Sequence, residues 1–149
     1  MRKISYSIVA LIFAVFVSGC ATPHQYSMPI EQKDIAAKTC PADKSCLYVV
    51  RPASMGGALH FLIKDNDILI GETGPRSYLA WQREPGPVNL VSVSEDKVSL
   101  GFEAQAGQSY YILQSFKIGI LTARSAISLI TKDEALRYMK TCKMAPSAK

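Results

Sequence analysis

Residues 88–103 read VNLVSVSEDKVSLGFE, and this stretch decides the fold. Val91 and Val93 alternate with serines before the Glu95-Asp96 turn. The same period of two continues beyond the turn in Val98, Leu100 and Phe102. Strict alternation over such a length is typical of a half-buried strand, because successive side chains of a strand point to opposite faces. The stretch therefore predicts two antiparallel strands joined by a short turn.

Similar runs lie on both sides of this hairpin. They cover residues 47–50, 59–64, 68–72, 77–82, 109–116 and 126–130. Leu59, Phe61 and Ile63 alternate with polar residues, and Asn66-Asp67 supplies a tight turn before the next run. Turns that recur every ~8–12 residues favour an antiparallel β-sandwich. We expect a mainly β domain, a sandwich of about seven strands.

One α-helix is predicted at the C-terminal end. Thr131 and Glu134 have the spacing of a capping box, in which each side chain accepts a hydrogen bond from the other residue's backbone N–H. Arg137 and Lys140 follow near the end of the helix, where positive charge suits the helix dipole.

The N-terminus has the pattern of a secretory signal peptide. Arg2 and Lys3 precede an apolar run from Ile4 to Val17, and small residues follow. The run is shorter than the ~20 apolar residues that a transmembrane helix needs. An uncleaved membrane anchor is therefore the weaker interpretation.

Val17, Ser18, Gly19 and Cys20 resemble the lipobox of bacterial lipoproteins. The resemblance implies a thioether-linked diacylglycerol on Cys20, cleavage before it, and acylation of the new amino group with a fatty acid such as palmitate. Two or more acyl chains give stable anchoring. Ordinary cleavage that leaves Cys20 as a thiol is the alternative. Because Ala21 rather than Asp follows Cys20, the sorting rule of Gram-negative lipoproteins implies the periplasmic face of the outer membrane.

These features divide the chain into four parts. Residues 1–19 are the lipoprotein signal peptide, and residues 20–45 are the lipidated cysteine with a flexible tether. Residues 46–143 are the sandwich with its helix, and residues 144–149 are a tail. At ~3.3 Å per residue, the polar segment from Ala21 to Thr39 reaches roughly 60 Å when extended.

The charge balance gives no argument for nucleic-acid binding. The chain has 17 Lys+Arg against 12 Asp+Glu, a net charge of +5. Loss of Arg2 and Lys3 with the signal peptide leaves +3. The remaining basic residues are scattered rather than clustered. We therefore expect no nucleic-acid partner.

Three cysteines other than Cys20 enter an oxidising compartment if the chain is exported. The turn-rich segment between Cys40 and Cys46 favours that pair. Pairing of either one with Cys142 stays open, and a bridge to Cys142 would close a longer loop. Zinc binding is not expected because His24 and His60 are isolated from a second close pair of ligands.

The order of several motifs resembles a family of bacterial lipoproteins, domain of unknown function 2846. Tyr48-Val49-Val50-Arg51-Pro52 is similar to the family's opening YVYRP strand. Residues 63–65, 70–72 and 77–78 follow in the family's order, and residues 106–112, AGQSYYI, resemble a later strand. The resemblance covers about residues 46–142. It implies a β-rich, membrane-tethered module, and no activity is established for that family.

Two positions depart from the family pattern. Asn66-Asp67 stands where the hairpin usually has Asp-Gly, which changes only the turn chemistry. Val88 stands where the family typically has a histidine, so no role of that histidine can be carried over.

Candidate recognition residues are Arg51, Trp81, Tyr110 and Tyr111. Arginine with exposed aromatic side chains is common in binding surfaces. Tyr110 and Tyr111 are neighbours in one strand, so one of them should border a groove or solvent. A tryptophan such as Trp81 is more often packed in the core than exposed in a binding surface, and His60 is expected to face solvent.

No catalytic or metal-binding motif is present in the sequence. Asp65 and Asp67 lack the downstream glycine and glutamate of a calcium loop, so a plain turn is expected. No nucleophile elbow, zinc-protease motif or phosphate-binding loop occurs. We expect no catalytic residue, no metal and no cofactor other than the lipid on Cys20.

The sequence predicts a lipid-anchored, non-enzymatic module of the cell envelope that binds or scaffolds an envelope protein. Binding of a small ligand, such as a lipid or a cell-wall fragment, is the alternative. A partner-binding module should expose Trp81 or a tyrosine in a surface patch. A ligand binder should have a groove, and an enzyme should bring Arg51, His60 and a carboxylate into one pocket. The oligomeric state is left open.

Overall fold

The computed structural model describes residues 26–27, 39–54, 59–118, 123–146 and 148. The chain is mainly β, with two packed sheets and a C-terminal helix, as predicted. The strands are β1 (Tyr26–Ser27), β2 (Ser45–Arg51), β3 (Phe61–Asp65), β4 (Ile68–Thr73), β5 (Ser77–Arg83), β6 (Gly86–Val93), β7 (Lys97–Ala104), β8 (Ser109–Ile118), β9 (Ala123–Ile130) and β10 (Lys143–Met144). Helix α1 spans Lys132–Met139.

The two sheets differ in size and in strand direction. The larger has the order β1-β5-β2-β8-β9, with β10 also paired to β5, and the smaller has the order β4-β3-β6-β7. Most neighbouring strands are antiparallel, but β2 runs parallel to β8 and β10 runs parallel to β5. The described residues form ten strands rather than about seven, and two of the strand pairs are parallel rather than antiparallel. Short strands and long crossovers leave little periodicity in the sequence.

Strand β2 lies at the centre of the larger sheet and is buried on both faces. Leu47 and Val49 pack between the two sheets. Tyr48 and Val50 pack on the opposite face, beneath Ala135 and Met139 of the helix and its following residues. A continuous run of β-branched and aromatic residues suits such a position, because neither face meets water.

Helix α1 begins with the predicted capping box. The Thr131 backbone N–H donates to Glu134 Oε2 at 3.0 Å, and the Glu134 N–H donates to Thr131 Oγ1 at 3.3 Å. Ala135 and Met139 are the buried residues of the helix. The cap therefore fixes the helix start where these two side chains meet the sheet.

The β3–β4 turn also has the predicted form. Asn66 and Asp67 have φ angles of 46° and 68°, the left-handed conformation that tight hairpins need. The Asn66 amide donates to the Pro87 carbonyl and accepts from the Asn89 N–H, at 2.9 and 2.8 Å. The turn is thereby joined to β6.

The alternation in β6 is opposite to the valine pattern of the sequence. Val88, Leu90 and Ser92 face the interior, whereas Val91 and Val93 lie on the outer face and are half-buried. Ser92 can be buried because its hydroxyl accepts a hydrogen bond from Gln114 Nε2 at 2.8 Å.

Contacts with the two sheets extend beyond residues 46–143 at both ends. Within the expected tether, Tyr26–Ser27 pairs with β5, and Cys40 is bonded to the start of β2. Within the expected tail, Ala145 is buried between the sheets, and the Ala148 N–H donates to the Ile70 carbonyl at 2.8 Å. The C-terminal segment thus connects the larger sheet to the smaller one. No helix among the described residues is long and apolar enough to cross a membrane.

Candidate functional site

A cleft of about 650 Å³ lies where the β4–β5 turn meets the C-terminal segment. Its walls come from three parts of the chain: the start of β3 with the end of β4, the β4–β5 turn, and the segment after helix α1. Its lining includes the titratable residues His60, Glu72, Arg76 and Lys143 and the apolar residue Met144.

The floor of the cleft is a turn fixed by hydrogen bonds. The Ser77 hydroxyl accepts from the Gly74 N–H at 2.9 Å and donates to the Gly74 carbonyl at 2.8 Å. Arg76 has a φ of 48°. Its N–H donates to the Ala53 carbonyl at 3.1 Å, and its carbonyl accepts from the Lys143 N–H at 2.8 Å. The backbone of Arg76 is held on both sides while its side chain stays exposed.

One wall carries a histidine–carboxylate pair. His60 Nδ1 and Glu72 Oε1 are 2.5 Å apart, and the two side chains are 55% and 46% exposed. Strand pairing explains their proximity, because Leu62 lies opposite Glu72 and His60 lies two residues earlier. The histidine faces solvent, as predicted.

The opposite wall is the C-terminal segment. Lys143 and Met144 pair with Ser77 and Tyr78 of β5, and the Ala145 N–H donates to the Tyr78 carbonyl at 2.8 Å. Lys143 is exposed and Met144 is half-buried. This wall therefore presents a mobile positive charge next to an apolar surface.

The Ser77 side chain and the titratable groups of the cleft have defined surroundings. The Ser77 hydroxyl is occupied within the turn by Gly74, so it is not presented as a nucleophile. The described residues contain no group of three or more His, Cys, Asp or Glu side chains able to hold a metal ion.

Arg51, the first predicted recognition residue, is fully buried between the sheets. Its guanidinium lies 4.6 Å from the ring centre of Phe61 and 5.3 Å from that of Phe116. Nη1 donates to the Leu59 carbonyl at 2.6 Å and to the Thr73 carbonyl at 3.2 Å. Burial lowers the pKa of Arg51. Arg51 does not join His60 and Glu72 in the cleft.

Trp81 is also in the interior. It is 3% exposed, and its indole Nε1 donates to Asp65 Oδ2 at 3.1 Å. The other Asp65 oxygen accepts from Arg83 Nη1 at 2.7 Å. Burial raises the pKa of Asp65, an effect that Arg83 and Trp81 oppose. Trp81 therefore takes the core position rather than the surface one, and Asp65 accepts hydrogen bonds there from both Trp81 and Arg83.

Neither predicted tyrosine is exposed. Tyr111 is buried and stacks on Tyr48 with 4.9 Å between ring centres. Tyr110 is half-buried against Phe102, and its hydroxyl accepts from the Gln105 N–H at 2.9 Å. The two do point to opposite faces, but β8 is covered on both, by helix α1 and by the smaller sheet.

Two of the cysteines form a disulfide, and a third is a buried thiol. Cys40 and Cys46 form a disulfide with 5.7 Å between their Cα atoms, the pair that the sequence favoured. Cys142 is a buried thiol whose Sγ donates to the Arg51 carbonyl at 3.7 Å. Burial raises the pKa of the Cys142 thiol, which disfavours a nucleophilic role. Cys20 and the lipobox residues Val17, Ser18 and Gly19 lie outside the described residues.

Sequence reasoning missed the cleft because its residues are distant in the chain. Neither Arg76 nor Lys143 belongs to a local sequence motif. The parallel pairing of β10 with β5 brings the two together, and no local pattern signals a two-residue strand. The Gly74-Pro75 pair predicts a turn, and it was the sequence signal for a loop at the cleft.

Comparison with known proteins adds one distant relative. An uncharacterized protein of Haemophilus influenzae is 26% identical over 137 residues, which cover 90% of this chain and 80% of that protein. No protein-family model matches the chain, and no solved structure is significantly similar.

Proposed function

We propose that this protein is a lipid-anchored, non-enzymatic module of the cell envelope that binds a small ligand in the cleft between the β4–β5 turn and the C-terminal segment. The observation that carries the proposal is the cleft of about 650 Å³, a size within the range of small-molecule sites. Exposed charged side chains lie beside apolar ones in it, which suits recognition of one orientation of a ligand.

The anchoring part of the proposal rests on the N-terminal sequence. The basic start, the apolar run and the lipobox-like residues before Cys20 support a lipid on that cysteine and a place at the periplasmic face of the outer membrane. Because Tyr26–Ser27 pairs with β5, residues 21–25 would separate the lipid from the domain, a reach of roughly 17 Å at ~3.3 Å per residue. The motif order shared with the lipoprotein family of domain 2846 is consistent with this location.

Protein binding is the second candidate function. Among the described residues, Trp81, Tyr110 and Tyr111 form no exposed partner patch, since their side chains are buried or half-buried. Leu62 and Leu69 are nevertheless 37% and 42% exposed, and they share the outer face of the smaller sheet with Val91 and Val93. An apolar strip of this kind favours a protein partner of the envelope.

Native mass spectrometry tests ligand binding. The full-length protein is released from bacterial membranes into mild detergent, and any small molecule that stays bound is identified. Thr141→Trp should abolish retention, because Thr141 is exposed on the cleft wall and a tryptophan there fills the opening. Ser99→Trp is the matched control, since Ser99 is exposed on the outer face of the smaller sheet.

Two outcomes contradict the proposal. Retention of the same molecule by Thr141→Trp would place the ligand outside the cleft, and absence of any bound molecule from the parent protein would remove the ligand-binding function. A crosslinking pull-down with Cys20→Ala as the comparison then tests the second candidate. A partner recovered only with the lipidated form would support protein binding at the membrane.

A further inference from the structure

We propose that the ligand of the cleft is an amphipathic anion, with a carboxylate or phosphate held by Arg76 and Lys143 and an apolar part lying on the C-terminal segment. This inference rests on the proposed ligand-binding function and specifies its chemistry. Both cations line the same cleft, and a direct hydrogen bond joins the Lys143 N–H to the Arg76 carbonyl.

The two cations are placed to act on one anionic group. Lys143 lies opposite Ser77 in the β10–β5 pairing, so it is adjacent to Arg76 across the strands. Both side chains are exposed, and no ion pair links either one to a carboxylate of the described residues. Arginine can donate two parallel hydrogen bonds to a carboxylate or phosphate, whereas lysine contributes a compact charge.

The carboxylate in the cleft wall does not neutralise this pair. Glu72 is in contact with His60, with 2.5 Å between the oxygen and the ring nitrogen. The Glu72 carboxylate therefore has a partner other than Arg76 and Lys143. The balance of charge near the β4–β5 turn stays positive, which favours an anionic ligand group.

An apolar part of the ligand is expected because apolar residues line the same cleft as the two cations. Pro75, Met144 and Pro146 are apolar residues of the same lining. A free inorganic anion would leave this surface in contact with water, whereas a short alkyl or aliphatic chain would cover it. The combination is that of an acyl carboxylate or an alkyl phosphate.

Titration with matched six-carbon probes tests the inference. The full-length lipidated protein, reconstituted in lipid nanodiscs with methyl-labelled methionine, is titrated with hexanoate, hexyl phosphate and hexanol. The Met144 methyl resonance, assigned with a Met144→Leu variant, reports occupancy of the cleft. Hexanoate or hexyl phosphate should shift this resonance at concentrations at which hexanol does not, and the stronger of the two distinguishes a carboxylate source from a phosphate source.

Charge-removing variants complete the test. Arg76→Gln and Lys143→Gln should each weaken binding of the anionic probe about 10- to 100-fold, because each removes a charge-assisted hydrogen bond. Lys97→Gln, an exposed lysine on β7, is the matched control and should leave binding unchanged.

The possible results separate this inference from the proposed function. Equal binding of hexanol, or unchanged anion binding in both glutamine variants, overturns the anionic ligand while leaving ligand binding in the cleft intact. No shift of Met144 with any probe also overturns the inference. Loss of a natively bound molecule in Thr141→Trp, found in the mass-spectrometry experiment, supports the cleft independently of the ligand's charge.

Discussion

Asp65 and Arg83 face each other inside the sandwich, with 2.7 Å between the carboxylate oxygen and the guanidinium nitrogen. Their side chains are 0% and 1% exposed. The Trp81 indole and the carbonyls of Glu84 and Pro87 complete hydrogen bonds to the pair. A buried ion pair of this kind holds the strands around it in a fixed arrangement. Each charge needs its partner because water is absent from the interior.

Asp65→Asn should destabilise the fold by about 3–5 kcal/mol, since it leaves the buried Arg83 without its compensating charge. Urea unfolding followed by tryptophan fluorescence measures the loss, because Trp81 contacts the same carboxylate. Asp67→Asn is the matched control, as Asp67 is exposed in the same turn and asparagine accepts its left-handed φ. Equal losses in the two variants would contradict a special role for the buried pair.

Tyr78→Phe should leave stability at neutral pH unchanged or raise it by about 1 kcal/mol. The Tyr78 hydroxyl is fully buried, and no described residue forms a hydrogen bond with it, so its removal also removes a desolvation cost. Guanidinium unfolding measures the effect. Tyr138→Phe, at an exposed position, is the control for loss of a hydroxyl. A loss of more than about 1 kcal/mol in Tyr78→Phe would mean that the hydroxyl is satisfied.

The same variant should be less sensitive to alkaline pH. Burial raises the pKa of Tyr78 from 10.0 to about 12. Between these values the folded state binds more protons than the unfolded state, so stability is full below pH 10 and falls as the pH rises toward 12. Tyr78→Phe should therefore lose stability more gradually over this range. A slope identical to that of the parent protein would contradict the raised pKa.

The parts of the fold that the sequence predicted depend on local chemistry. The capping box of Thr131 and Glu134 and the Asn66-Asp67 turn each involve residues within four positions of one another. The disulfide between Cys40 and Cys46 closes a short loop in the same way. Such features can be recognised in a sequence because the spacing of the interacting residues along the chain is enough to identify them.

The parts that were missed depend on partners far along the chain. Arg51 is buried because Phe61 and Phe116, on two other strands, cover both sides of its guanidinium. Ser92 is buried because Gln114 donates to it. Each of these residues is polar and would ordinarily be assigned to the surface. Arg76 and Lys143 are both exposed, and their proximity likewise depends on a strand pairing between distant parts of the chain.

Glu134→Gln should reduce the loss of stability in acid. The Thr131 backbone N–H, followed by the Thr131 hydroxyl, lowers the pKa of Glu134 below its ordinary value of 4.5. A lowered pKa gives stability that is present above about pH 4.5 and is lost as the pH falls through the folded-state value. Glutamine keeps the hydrogen-bond acceptor but does not titrate. Thermal unfolding of both proteins from pH 6 to pH 3 measures the difference, and parallel curves would contradict the linkage.

Ala145→Asp should destabilise the protein by about 2–3 kcal/mol or more, because it places a carboxylate among Leu79, Trp81 and the other residues between the sheets. Ala148→Asp is the matched control, since Ala148 is exposed and contributes its backbone N–H rather than its side chain. Urea unfolding compares the two.

If both variants unfold like the parent protein, the C-terminal segment does not join the two sheets in solution. In that case the wall of the cleft that contains Lys143 and Met144 is not fixed either. A large loss confined to Ala145→Asp instead means that the segment is part of the domain, because only a packed side chain is sensitive to a buried charge. The fold and the candidate site therefore depend on the same C-terminal residues, 143–146 and 148, and stability measurements on this pair of variants bear on both.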